Sequence, residues 1–226
     1  MDSVPQNRLR RLPLKIRVID LSRELKDGIE TWPGDAVGLR IEHLARVEHE
    51  GHNTSRFTHL DCHCGTHIDS PLHFIESGED LAEMPLRILP AVVMSTSLKR
   101  IGPETFQKAG PLEGRAILVH TSWDTHVGRP DFYRDFPYIT PEAARFLVGS
   151  GITLLGVDTP SPDQGESTDH PVHHILLGEG IPIVEGLVHL GKVIAEGDTP
   201  HFSAFPLKVK DLEACPVRAA ALFFTP

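Results

Sequence analysis

Between Asp61 and Phe74 the chain reads DCHCGTHIDSPLHF, which places His63, His67, Asp69 and His73 within eleven residues. If the run is broadly extended, alternate side chains share a face, so His63, His67 and Asp69 converge on one point. On a helix, residues 63 and 67 would stack one turn apart while residue 69 pointed elsewhere. Gly65 and Pro71 oppose a regular helix in any case. Two imidazoles and a carboxylate form a donor set suited to Zn²⁺ or Mn²⁺. Gly65 lets the backbone approach closely between the two histidines. A string of surface histidines is the plainer reading of any one of them; the spacing favours a metal.

A second carboxylate points the same way. Glu185 is embedded in the apolar run IPIVEGL, where a charge is costly unless it is paired or bound to metal. The buried run ITLLGVD ends at Asp158, and loops at strand ends are where sites are built on a rigid scaffold. Asp169-His170-Pro171-Val172-His173-His174 then opens a short helix. The sequence contains no Gly-x-Ser-x-Gly elbow, which disfavours a serine nucleophile.

The stretch H-C-G-T-H-I-D-S-P-L-H, from His63 to His73, resembles the signature of the cyclase-like metal-dependent amidohydrolases. That family includes bacterial kynurenine formamidases and isatin hydrolases. The resemblance continues through the turn Trp32-Pro33-Gly34-Asp35, the stretch Gly156-Val157-Asp158-Thr159 and the segment from Pro171 to Leu187. It covers residues 16–226 and leaves residues 1–15 as an N-terminal arm.

The resemblance implies an α/β fold: a β-rich single domain of the swivelling β/β/α type with few helices, assembled as a homodimer or homotetramer. It implies that His63, His67, Asp69, His173 and Glu185 hold one or two divalent ions, Zn²⁺ or Mn²⁺. With two ions, Asp69 and Glu185 would bridge them, and His174, one position on, remains the alternative to His173. His73 corresponds to the acid/base that takes a proton from water and returns it to the leaving amine. Trp32 corresponds to a substrate contact, although by composition alone it is equally a surface staple. The implied substrate is a small aryl amide, with conversion of N-formylkynurenine to kynurenine and formate the leading expectation. Within the family the alternative is a cyclic amide such as isatin; outside it, a non-catalytic metal-binding module. A binding module has no use for a free histidine beside an open site, so His73 favours the enzyme.

The elements that must position these residues read mainly as strands. Apolar or alternating runs mark them at Lys15–Leu21, Gly38–Val47, Leu89–Ser95, Ala116–His120, 152–158, 181–187, Lys192–Glu196 and Ala219–Phe224. Short helices are expected from Gly102-Pro103-Glu104, from the N-cap pattern Thr140-Pro141-Glu142, and over HHILLGEG. The stretch from His49 to Arg56 reads as a polar patch, with His43, His49 and His52 exposed and His59 suited to supporting a ligand. Residues 120–137 hold Trp123, Phe132, Tyr133 and Phe136 and read as a loop, either a lid or an oligomer contact.

Composition bounds the rest. A length of 226 residues makes one domain the default. A net charge of −9 argues against a nucleic-acid partner, because neutralising phosphates needs a basic surface. No apolar run reaches the roughly 18–20 residues that span a bilayer, which argues against a membrane partner. Cys62, Cys64 and Cys215 make no disulfide framework and fit a cytoplasmic setting. The basic opening segment is broken by Pro5 and Pro13 and reads as a solvated arm rather than a transit peptide.

Overall fold

The computed structural model describes residues 15–34, 37–197 and 199–225. The expected arm over residues 1–15 lies outside them apart from Lys15, as does Asp35 of the Trp32–Asp35 turn. In chain order the first elements are β1 (Lys15–Asp20), β2 (Leu39–Ala45), α1 (Val47–Glu50), β3 (Thr54–Leu60), β4 (His67–Asp69), β5 (Leu89–Ser95) and β6 (Arg100–Ile101). Next come β7 (Ala116–His120), β8 (Tyr138–Ile139), α2 (Pro141–Gly149), β9 (Leu154–Val157), α3 (Pro171–Gly178) and β10 (Ile183–Glu185). The last are α4 (Leu190–Glu196), β11 (His201–Phe205), β12 (Ala214–Pro216) and β13 (Arg218–Thr225). This is the expected strand-rich α/β fold with few helices.

Nine strands form one mixed sheet in the order β1-β13-β11-β5-β7-β9-β10-β4-β12. Its centre, β5 to β10, is parallel, and both flanks are antiparallel. The two-residue period of the central strands sorts their side chains between two cores. Leu118, Leu154 and Val184 face one, with Ile68, Phe202 and Phe223. Ile117, Val119, Leu155, Val157 and Ile183 face the other, under Leu147 of α2 and Val172 and Leu176 of α3. Parallel strands buried on both faces read as unbroken apolar runs, which is why AILVH and ITLLGVD stand out in the sequence. Helix α2 starts where its cap predicts, with Thr140 Oγ1 accepting the Ala143 N–H at 3.2 Å.

Three expectations are corrected. Lys192–Glu196 is helical, not a strand. Leu190 and Val193 bury one turn apart in α4, and that spacing outweighs the β-branched pair Val193-Ile194. The polar patch from His49 to Arg56 is exposed as expected, and it lies within a hairpin in which β2 and β3 pair with each other around the single turn of α1. Most of its side chains are exposed, so β3 carries no apolar alternation to betray it. His59 sits exposed on β3 opposite Arg40, not behind a ligand. Finally, the helix expected after Gly102 is one 3₁₀ turn, Pro103–Thr105.

Candidate metal centre

Strand β4 lies between β10 and β12, with Glu185 opposite His67 and Ile183 opposite Asp69. His67 and Asp69 therefore share a face, while Ile68 between them enters the opposite core. Glu185, the cross-strand neighbour of His67, joins them on that face. Residues 61–66 are not extended: they turn through Gly65, whose φ is 71°. This turn, and not strand alternation, brings the His63 ring to 5.0 Å from that of His67. After β4, the 3₁₀ turn Pro71–His73 carries the His73 ring to 4.4 Å from His63 and 5.7 Å from His173.

The polar atoms converge closely. His67 Nε2 is 3.2 Å from Glu185 Oε2 and 3.6 Å from Asp69 Oδ1. His173 Nε2 is 3.2 Å from Glu185 Oε1 and 3.7 Å from Asp69 Oδ2. His63 Nδ1 lies 3.2 Å from Asp69 Oδ1. His67, Asp69, His173 and Glu185 are all buried. Nevertheless His67 Nε2 and both oxygens of Asp69 have no hydrogen-bond partner among the described residues. Each buried polar atom left unsatisfied costs about 1–3 kcal/mol. A divalent cation would give these atoms the partner they lack, so the residues present fit a metal.

Two groups of potential ligands overlap at Asp69: His67, Asp69 and Glu185, and His63, Asp69 and His73, each with ligand atoms within 4.8 Å of one another. The overlap would serve an ion held from either group. It also puts His73 close enough to ligate, a role distinct from proton transfer.

The neighbours of these residues fix their orientation. The Nδ1–H of His67 faces the Gly65 carbonyl at 3.3 Å, which leaves Nε2 for the centre. The Nδ1–H of His173 donates to Asp163 Oδ2 at 2.7 Å, and Asp163 also accepts the backbone N–H groups of Val172 and His173. A carboxylate behind a histidine in this way sets its tautomer and raises its basicity as a ligand. Sequence reasoning missed Asp163, because no spacing rule links a loop carboxylate to a histidine ten residues on. His174 is exposed, and its ring meets Phe74 edge-on at 4.9 Å. Of the two neighbouring histidines, His173 is the one in the cluster.

Proton affinities follow from this crowding. Burial presses on the His63 imidazolium, but Asp69, Glu185 and Glu213 outweigh it and raise its pKa to about 9. His173 is likewise raised against burial, by Asp163, Asp69 and Glu185. Asp69 is held well below the usual carboxylate range, its burial overcome by His67, His173 and His63. For His73 burial wins and pushes the pKa down to about 4.

The cluster opens into a cavity of about 420 Å³, the scale of a small-molecule site, walled by Arg23, Trp32, Phe74, Tyr133, Ser161 and His170. Trp32 packs edge-on against Tyr133 at 5.6 Å and Phe136 at 6.2 Å. The 120–137 loop supplies part of this wall: Phe132 is buried edge-on to Tyr133 at 4.9 Å, Phe136 is buried against Trp32 and Trp123, and Trp123 Nε1 donates to the Phe132 carbonyl at 2.8 Å.

Residues 19–164 match the family described as "Putative cyclase". The kynurenine formamidase of Geobacillus thermodenitrificans (strain NG80-2) is 35% identical over 207 residues, covering 89% of this chain and 95% of that protein. The kynurenine formamidase of Bacillus anthracis is 35% identical over 208 residues, with the same coverage. Isatin hydrolase A from Labrenzia aggregata, solved with benzyl benzoate bound, superposes with a TM-score of 0.81 at 25% identity, over 92% of this chain and 93% of that one. The family match and the identity and coverage of these relatives agree: this chain belongs to the cyclase family of hydrolases.

Proposed function

We propose that this chain is a metal-dependent arylformamidase that hydrolyses N-formylkynurenine to kynurenine and formate. The observation that carries the reading is the set of buried, unpartnered atoms on His67 and Asp69, opening beside His73 into an aromatic-walled cavity. The kinship with kynurenine formamidases supports the substrate. In this reading His63, His67, Asp69, His173 and Glu185 hold one or two ions of Zn²⁺ or Mn²⁺. When bound, such an ion acidifies a water to a pKa of about 7 and polarises the amide carbonyl.

The chain's own residues do the rest. Burial keeps His73 neutral at pH 7, so its ring has a lone pair ready for a proton from water. The same ring then protonates the departing aryl amine, without which the C–N bond has a poor leaving group. His63, tilted 36° against His73, and Phe74, edge-on at 4.5 Å, hold that ring in place. Trp32, Phe74 and Tyr133 offer aromatic faces to the aryl ring of the substrate.

The assembly proposed is a homodimer or homotetramer in the cytoplasm. Exposed Leu44, Val47 and Phe57 on the β2–β3 hairpin support assembly, and three free cysteines support a reducing compartment. No helix among the described residues is long and apolar enough to cross a membrane.

A second reading, hydrolysis of a cyclic amide, is favoured by the close superposition on an isatin hydrolase. The test is a screen of the Zn²⁺- and Mn²⁺-loaded protein against N-formylkynurenine, isatin and formanilide. The formyl amides should be cleaved fastest. Ring opening of isatin alone would establish the second reading, and full metal with no turnover would leave a binding module.

A further inference from the structure

We propose that Arg23 selects the substrate by reading a carboxylate that the aryl amide carries away from its scissile bond. The inference rests on the amidase reading above and adds to it the charge of the substrate.

Arg23 is tied to the centre through the backbone. Its N–H donates to Thr66 Oγ1 at 2.9 Å, and that hydroxyl donates to the Gly186 carbonyl at 2.6 Å. Thr66 and Gly186 adjoin His67 and Glu185, so the arginine has a fixed position relative to the ligands. Its side chain is only 3% exposed and lines the same cavity as His63, His67, His73, His173 and Glu185.

A guanidinium buried this deeply is costly unless its donors are engaged. One terminal nitrogen donates to Glu30 Oε1 at 2.7 Å, and the guanidinium carbon lies 4.7 Å from the centre of the Phe132 ring. Nε, however, is buried with no hydrogen-bond partner among the described residues. The Glu30 side chain is 41% exposed, so solvent screens this counter-charge. Beside it stands Tyr133, whose hydroxyl donates to the Glu30 carbonyl at 3.3 Å and whose ring packs on Trp32.

The cavity is thus polarised. Asp69 and Glu185 are committed to the metal centre and Asp61, which also lines the cavity, accepts the His63 backbone N–H at 2.8 Å, while a planar, incompletely partnered cation sits in the aromatic wall. The acceptor that matches a guanidinium fork is a carboxylate, held in paired, charge-assisted hydrogen bonds. If Arg23 only pinned Glu30 and Phe132 in place, the site would be indifferent to substrate charge.

The test uses the Zn²⁺-loaded protein and a matched pair, N-formylkynurenine and its methyl ester, with kynurenine and its methyl ester as binding probes by calorimetry. The wild type should favour the acid over the ester by about 10–100-fold in kcat/KM and in affinity, the usual worth of a charge-assisted contact. Arg23→Gln should bring that ratio towards one, and Arg23→Lys should keep part of it. A wild type that treats acid and ester alike overturns the proposal, as does an Arg23→Gln variant that keeps the full ratio. Should Arg23→Gln fail to fold, the wild-type ratio and Arg23→Lys still decide. Equal cleavage of both amides removes the role of Arg23 and leaves the formamidase reading intact. Preferential binding of kynurenine that Arg23→Lys weakens, without cleavage of either amide, upholds Arg23 and removes the formamidase reading.

Discussion

Asp163 Oδ2 accepts the Nδ1–H of His173 at 2.7 Å, in a pocket where both residues are buried, and this contact aims His173 Nε2 at Asp69 and Glu185. Removing the carboxylate frees the ring to rotate and lowers its basicity. Asp163→Ala should therefore weaken metal binding by about 10–100-fold, the usual effect of losing such a partner. Titration against a competing chelator measures it, and unchanged affinity would show that Asp163 serves only to cap α3.

The pair His173 and His174 gives a sharper contrast, because one is in the cluster and the other is exposed. His173→Ala should lower metal content sharply, as expected when a ligand is removed. His174→Ala should retain it. Metal analysis of the two purified variants decides, and the reverse pattern would contradict the orientation of α3.

Metal binding should depend on pH in a definite direction. His63 titrates at about 9 and His173 is also raised, so at neutral pH the metal-free protein holds protons where a metal must bind. Affinity should rise from pH 6 towards pH 9, with protons released on binding. Calorimetry in buffers of different ionisation enthalpy reads the release directly; buffer-independent heats would count against it. In the metal-free fold the His63 shift has the opposite consequence. Its stabilisation is full below the unfolded histidine pKa of about 6.5 and is lost as pH rises through about 9.

Gly186 has a φ of 64°, and a Cβ there would lie 2.7 Å from the Gly65 carbonyl oxygen. Gly186→Ala should destabilise the fold by about 1–3 kcal/mol, through left-handed strain and the forced separation of the two loops. Denaturant unfolding of the metal-loaded protein tests this, and an unchanged midpoint would refute it.

Much of this site is written in one stretch of sequence, since His63, His67, Asp69 and His73 lie close along the chain and their donor chemistry is plain. Glu185 was visible as a charge among apolar residues. What sequence did not reveal depends on three-dimensional register. The pairing of Glu185 with His67 across β10 and β4 is a long-range choice, and Asp163 meets His173 only because a loop folds back on α3. The cavity function of Arg23 was equally hidden, because near β1 it is one of several basic residues. The α4 error and the missed β3 share a cause: a short run with few buried positions carries too little periodicity to separate helix, strand and loop.

In the proposed mechanism a metal held by the buried cluster works with His73 as a separate acid/base, although His73 is near enough to Asp69 and His63 to be a ligand itself. The direct test is His73→Ala, with metal content and kcat on N-formylkynurenine measured on the same preparation. Metal content should stay close to wild type while kcat falls by about 10²–10⁴, the usual worth of a positioned acid/base. Loss of metal would make His73 a ligand, and unchanged turnover would make it a bystander; either result contradicts the account.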